Sequence, residues 1–397
     1  MVMSIIYCDN AATTRISRRA AEAMEECLEN VWGNPSGIYS LGQEARNTIE
    51  DAREKIAGCI GASPREIYFT SGGSEADNQA LISAAAFGGA GRDRIISTAF
   101  EHHAVLRTLE ALGKQGIETV LTPVGSDGIT DPADIEREIT EKTVMVSVMA
   151  ANNEIGTVQP IREIGEICRR HNVLFHTDAV QAAGHIHIDV DRDNIDMLSM
   201  SAHKFHGPRG AGILYCRKGV QLKNLIYGGG QERGKRAGTE NTAAIAGMAR
   251  ALEDAVKDMD NNNSRTFEMR EHLINGLLKI PHSRLNGDRT RRLPGNANIC
   301  FEGIEGESLL VLLDSRGIQA SSGSACTAGS LDPSHVLTAI GLPAELARAS
   351  VRFTVGEDNT SEEIDTVIAA VTEAVGYLRS MSAPWREMED GQREHLI

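Results

Sequence analysis

The sequence predicts an α/β fold, a mainly parallel sheet covered by helices, followed by a smaller α+β unit. Two patterns carry this. From about residue 40 to 215, short apolar runs alternate with amphipathic segments of helical period, as in sheets whose strands are joined by helical crossovers. After Gly230 the alternation gives way to long helical stretches separated by isolated strands. A chain of 397 residues is long enough for two domains sharing a large core.

The elements follow in order. Gln43 to Ile60 carries Ala45, Ile49, Ala52, Ile56 and Ile60 at helical spacing. Ile67 to Phe69 reads as a strand, Glu75 to Ala86 as a helix, and Ile95 to Ser97 as the next strand. A helix beginning near His103 and a strand at Thr119 to Leu121 come next. Asp131-Pro132 has the form of a cap with proline in the first turn. Val144 to Met149 is a continuous apolar strand, and Pro160 opens another helix. Beyond Gly230, Thr242 to Lys279 is helical with an expected break at Asp258 to Asn263. Asn298–Phe301, Gly306–Ser315, Val351–Thr354 and Ser361–Met381 then read as strand, helix, strand, helix. The charged stretch Arg386 to Ile397 is expected to pack poorly.

Forty basic against 55 acidic side chains give a net charge of −15. Such a chain repels a long phosphate surface, which disfavours a nucleic-acid role. No run reaches the roughly 18–20 apolar residues of a membrane span, and no basic segment followed by an apolar core marks the N-terminus, so no membrane role and a cytoplasmic location are expected. The seven cysteines are widely spaced and contain no C-x-x-C, which argues against a disulfide framework and a structural zinc site.

Two segments point to chemistry. The apolar run Val173–Phe175 leads into Asp178, and Ile195–Met200 leads into Lys204, 26 positions later. A carboxylate and an amine just past the ends of buried strands suit pyridoxal phosphate (PLP): the amine binds it covalently and the carboxylate keeps its pyridine nitrogen protonated. A buried salt bridge plus a surface lysine would leave the same trace.

Thr70-Ser-Gly-Gly-Ser-Glu75 joins a strand to a helix, as a phosphate cup would; purely structural turns share that form. Gly229 to Arg236 nearly matches a nucleotide P-loop but ends in Arg rather than Ser or Thr, so ATP binding is rejected. His102 follows a strand and precedes a helix, where it could lie on a cofactor ring or merely cap the helix. Asn152 to Glu154 end the strand from Val144. Arg352 alternates with Val351 and Phe353 and suits bidentate capture of a carboxylate; a surface ion pair is the other reading. Cys326 lies in Ser321-Ser-Gly-Ser-Ala-Cys-Thr-Ala-Gly-Ser330, a setting of small residues unlike that of a core cysteine.

With these motifs, the chain resembles the cysteine desulfurases of the NifS/IscS type, among the fold-type I PLP-dependent transferases. The resemblance runs from Asp9-Asn-Ala-Ala-Thr13 and Asn34-Pro-Ser36 through Asn152–Gly156, His176–Gln181 and Ser201–Lys204 to Arg236–Asn241 and the Cys326 segment. It implies a large PLP-binding domain over 14–259 with a seven-stranded sheet. Residues 1–13 and 260–397 would form a smaller domain carrying a mobile catalytic loop, about 321–334.

The resemblance also implies roles. Lys204 would hold PLP and move the Cα proton, Asp178 would pair with the pyridine nitrogen, Gln181 with the ring hydroxyl, and His102 would stack on the ring. Gly73, Ser74, Ser201 and His203 would bind the phosphate, and Asn153 would lie beside the ring hydroxyl and the substrate. Thr239 would reach the phosphate in the other subunit of a homodimer, and Arg352 would hold the substrate carboxylate. Cys326 would take sulfur from L-cysteine as a persulfide, leaving alanine, for delivery to an iron–sulfur scaffold protein; it could also ligate iron transiently during transfer. A selenocysteine lyase, an aminotransferase and a non-catalytic iron–sulfur scaffold are the rival readings. Ser74 stands where many relatives have Thr, which keeps the hydroxyl.

Overall fold

The computed structural model describes residues 5–89, 91–322 and 332–397. Strands β1 (Ile6–Tyr7), β2 (Ile67–Thr70), β3 (Arg94–Thr98), β4 (Glu118–Thr122), β5 (Thr143–Ser147) and β6 (Leu174–Asp178) come first. They are followed by β7 (Met197–Ser201), β8 (Gly212–Cys216), β9 (Ser283–Leu285), β10 (Asn296–Phe301), β11 (Ile318–Gln319) and β12 (Ser350–Thr354). Helices α1 (Arg18–Asn30), α2 (Ser40–Cys59), α3 (Gly73–Phe87), α4 (His103–Gly113), α5 (Pro132–Glu138) and α6 (Ile161–His171) belong to the first half. The second half holds α7 (Gln231–Gly234), α8 (Thr242–Lys257), α9 (Met259–Leu277), α10 (Gly306–Asp314), α11 (His335–Ala339), α12 (Ala344–Arg348), α13 (Ser361–Met381) and α14 (Ala383–Glu389).

The central sheet has seven strands in the order β2-β8-β7-β6-β5-β3-β4. All its neighbours run parallel except β8, which is antiparallel to both β2 and β7. Every residue of β5, β7 and β8 is buried, as expected of a sheet covered on both faces. Alternation sorts the side chains. Leu198, Ile213 and Tyr215 pack with Ile56 of α2 and with Met248 and Leu252 of α8. Met197 and Leu214 pack on the other face with Ala76, Ala80 and Leu81 of α3. The alanines of α3 let that helix lie close to the sheet.

A second core gathers around the antiparallel sheet β12-β10-β9. Ile299, Phe301 and Phe353 pack there with Leu273 and Leu277 of α9 and with Val367, Val371 and Val375 of α13. β1 pairs with β11, so the start of the chain joins this second sheet region. The antiparallel β8 restores the direction of β2, so β2, β3, β5, β6 and β7 all point their carboxyl ends to one edge, where open α/β sheets place ligands.

Several expectations are corrected. The charged stretch Arg386–Ile397 is largely exposed but anchored: Met388 is buried, and Leu396 N donates to the buried Glu302 at 2.5 Å. The break expected within Asp258–Asn263 is present, at Asp258 alone; Asn262 and Asn263 are helical, and their side chains donate to Glu357 and to the main-chain oxygen of His185. The strand from Val144 stops at Ser147. Helix α1, with Ala20 and Cys27 buried, had no apolar stripe long enough to reveal it. The P-loop-like stretch is a structural plug. Glu232, at φ 45°, inserts its carboxylate between the Arg53 guanidinium (2.8 and 2.9 Å) and Phe69 N.

Candidate active site

The carboxyl ends of the strands enclose a cavity of about 330 Å³. Asp178 is the last residue of β6, and Lys204 lies in the single 3-10 turn Ala202–Lys204 that follows β7. Both line this cavity, together with His102, Gln181, Asn153 and Arg352. Gly73, Ser74, Ser201 and His203 line it too. Ten sequence-predicted residues thus converge from five strand ends and β12. Thr239 is exposed and does not line the cavity. Cys326 lies outside the described residues.

The lysine loop is fastened by the start of the chain. Lys204 Nζ donates to the main-chain oxygens of Ala11 (2.6 Å) and Ala12 (2.8 Å). Gln181 Nε2 donates to Ala11 O as well, at 2.9 Å. Thr14 N donates to His203 O at 2.8 Å. The motif near residue 10 therefore serves as the floor under the amine.

Electrostatics mark the opposite wall. Asp178 Oδ1 accepts from Val180 N at 2.9 Å, and burial raises its pKa against the opposing pull of His102 and Lys204. Asp77, on α3, is 1% exposed; burial first, and then the Asp178 charge, push it well above the ordinary carboxylate range. Its Oδ1 has no hydrogen-bond partner, and His176 Nε2 stands 3.6 Å away with its own pKa pushed down to about 3 by burial. Asp77, His102 and Asp178 present ligand atoms within 4.8 Å of one another. Two buried carboxylates without a neighbouring arginine form a seat for a group that brings its own N–H or positive charge.

His102 is both things its position allowed. Its Nδ1 accepts from Ala104 N at 3.1 Å and caps α4, so Nε2 carries the proton in the neutral ring, and burial lowers its pKa. At the other end, α3 begins at Gly73, where the first amides have no acceptor within the helix. A Cβ on Gly73 would lie 2.5 Å from Val180 Cγ2, so only glycine leaves this corner open. Beside it, burial pushes the His203 imidazole down to about 4. These amides and the hydroxyls of Ser74 and Ser201 suit an oxyanion.

Arg352 is 2% exposed, which removes the surface ion pair reading. Its Nη2 meets Asp9 Oδ1 at 2.7 Å and its Nη1 donates to Asn153 O at 2.9 Å. Its main chain pairs in both directions with Ser321. Ser334, which caps α11, donates to Glu154 Oε2 at 2.5 Å. Residues on both sides of the stretch containing Cys326 are therefore tied to cavity residues.

Glu154, at the end of the Asn152–Glu154 stretch, lines the cavity as well, and so do Asp77, His103 and His335, which were not singled out from the sequence. Asp77 lies one helical turn beyond Gly73 and so on the same face of α3, a spacing that could have exposed it. The His335 ring lies tilted against that of His103, centroids 4.6 Å apart, and donates to Glu101 O at 2.9 Å, a contact 234 residues apart that no local pattern records.

A mainly parallel seven-stranded sheet with a lysine and a buried carboxylate at its carboxyl edge is the scaffold of fold-type I PLP enzymes. Within that class the chain belongs to the class-V aminotransferase family, whose model matches residues 6–367. It is 50% identical over 380 residues to the protein named cysteine desulfurase IscS of Methanosarcina thermophila, covering 95% of this chain and 93% of that one. A solved structure of a NifS-like protein matches with a TM-score of 0.89 and 38% identity, over 94% of this chain and 100% of that one. A structure described as SspA in complex with cysteine matches at a TM-score of 0.79 and 35% identity, over 89% of this chain and 100% of that one.

Proposed function

We infer that the protein is a PLP-dependent cysteine desulfurase, which converts L-cysteine to L-alanine and collects the sulfur as a persulfide on Cys326. The observation that carries this reading is the meeting of Lys204, Asp178 and Arg352 in one cavity, in a chain half identical to a named cysteine desulfurase. The residues present fit PLP. Asp77 Oδ1 lacks a partner beside the buried Asp178, so a protonated ring nitrogen would satisfy a wall that is otherwise costly. The open corner at Gly73, with Ser74, Ser201 and His203, would take the phosphate. Gln181 and Asn153 would flank the ring hydroxyl, and His102 would face the ring. When bound, PLP supplies the electron sink for charge developed at the substrate Cα.

The chain's own groups do the rest. Arg352 binds the substrate carboxylate, releasing Asp9. Lys204 removes and returns the proton at Cα, held over the site by the carbonyls of Ala11 and Ala12. The Cys326 thiolate attacks the substrate sulfur. The S–S bond forms as Cβ–S breaks, and the electron pair passes to Cβ, which takes up a proton to become the methyl group of alanine. L-Cysteine and the Cys326 thiol thus become alanine and a Cys326 persulfide.

In this reading residues 14–259 form the cofactor-binding domain, and 1–13 with 260–397 form the smaller one. Thr239, exposed on a segment tied to α3 by Arg236–Glu75 (3.0 Å), completes the phosphate site of a second subunit in a homodimer. The sulfur passes to an iron–sulfur scaffold protein in the cytoplasm. No helix of the described residues is long and apolar enough to cross a membrane. Single-turnover mass spectrometry after L-cysteine tests the reading: one added sulfur on the peptide containing Cys326, with alanine formed, is expected. Alanine without that modification would rule out the desulfurase scheme.

A further inference from the structure

Far from the cavity in sequence, the end of the chain closes over a cluster of metal-ligand type. Glu302, at the end of β10, is fully buried (0% exposed). Its Oε2 lies 3.0 Å from His395 Nδ1 and 3.3 Å from His282 Nδ1. The main-chain oxygen of Ile397 is 2.7 Å from the same His282 nitrogen. Two imidazoles, one buried carboxylate and one main-chain oxygen make an N2O2 set.

We propose that His282, Glu302 and His395, with the main-chain oxygen of Ile397, form a site for one divalent transition-metal ion, Zn2+ by preference, which fastens the C-terminal segment to the three-stranded sheet.

The spacings carry the argument. With bonds of about 2.0–2.2 Å, a tetrahedral zinc site has donor–donor edges of about 3.3–3.6 Å. The observed separation of 3.3 Å already fits, that of 3.0 Å needs to open by about 0.3–0.6 Å, and that of 2.7 Å by about 0.6–0.9 Å. An N2O2 set of borderline and hard donors suits zinc rather than a thiophilic ion.

The surroundings hold the ligands in place. Leu396 N fixes Glu302 Oε1, and Arg379 donates to the main-chain oxygens of both Glu302 (2.9 Å) and His282 (3.1 Å). His282 adopts φ 51°, an unusual conformation for a residue other than glycine, and this presents its ring to Glu302. Binding would displace the protons that now bridge the nitrogens and oxygens. It would also open the imidazole stack, whose rings are 3.8 Å apart and 21° from parallel. Trp385 stands edge-on to both rings at 5.5 Å, so its fluorescence would report the change. Among the described cysteines, Cys8, Cys216 and Cys300 are poor competitors, since burial pushes each thiol up to about 12.

The test uses PLP-loaded enzyme carrying Cys326→Ser, so that the thiol at that position takes no part and no activity is needed. Zn2+ is titrated by calorimetry, and Co2+ by its visible d–d absorption and by tryptophan fluorescence. One equivalent should bind with a four-coordinate Co2+ spectrum. His395→Ala and Glu302→Gln should each weaken binding by more than the roughly 10–100-fold that loss of an outer partner costs. Absence of saturable binding, or binding unchanged by both substitutions, would overturn the proposal. Should Glu302→Gln not fold, His395→Ala, on the exposed tail, decides alone.

Discussion

Two sets of buried carboxylates, Glu232 beside β2 and Asp77 with Asp178 at the end of β6, are treated in opposite ways. Glu232 is enclosed by both arms of the Arg53 guanidinium and by Phe69 N, with 4% and 2% of the two side chains exposed. Asp77 and Asp178 are equally buried, yet burial raises both and Asp77 keeps an unpartnered oxygen. A satisfied buried charge holds the fold together. An unsatisfied one keeps a place for something that is not part of the chain.

The contrast can be broken by experiment. The largest effect should come from Lys204→Ala, which removes the group proposed to move the Cα proton. The turnover number should fall by about 10²–10⁴-fold or more, with little change in urea midpoint. Next, Glu232→Ala should cost about 3–5 kcal/mol in urea unfolding, because Arg53 is left buried without its partner. Asp178→Asn, by contrast, should leave the cofactor-free protein as stable as before or more so, while weakening PLP retention followed by absorbance. Equal destabilisation by these two substitutions would erase the distinction drawn here.

Smaller effects sharpen it. Arg352→Lys keeps the charge but loses the planar fork, and KM for L-cysteine should rise about 10–100-fold, with the smaller loss in kcat. The subtlest is a pH effect. Burial raises Glu101 to about 8 from an ordinary 4.5, so the folded state holds a proton that the unfolded chain releases. Its contribution is therefore fully present below about pH 4.5 and is lost as pH rises towards 8. Glu101→Gln keeps an N–H where the carboxyl O–H stood. Thermal melts of cofactor-free protein should show a shallower decline across that window than the wild type.

What could be read from the sequence was what local spacing records. Apolar runs ending in Asp178, Lys204 and His102 announce strand ends, and a shared edge follows from parallel topology. Asp77 was missed although it lies one helical turn beyond Gly73, because in the Ala-rich α3 only that spacing points to the cavity. Glu232 was misleading: its glycine-rich neighbours imitate a phosphate loop, while its real partner, Arg53, is 179 residues away. The tail failed for the same reason. Its charged composition suggested solvent, but Met388 is buried and His395 meets the buried Glu302, a contact that only the folded chain assembles.

The guanidinium proposed to seat the substrate carboxylate, that of Arg352, already holds a carboxylate, that of Asp9. On that proposal recognition would be an exchange rather than a capture: one acid would leave the guanidinium as another arrived, and the count of carboxylates paired with Arg352 would not change. An amine lacking a carboxylate, such as cysteamine, has nothing to offer in that exchange. The same arginine shares its main chain with Ser321, so the swap takes place beside an anchor of the stretch that contains Cys326.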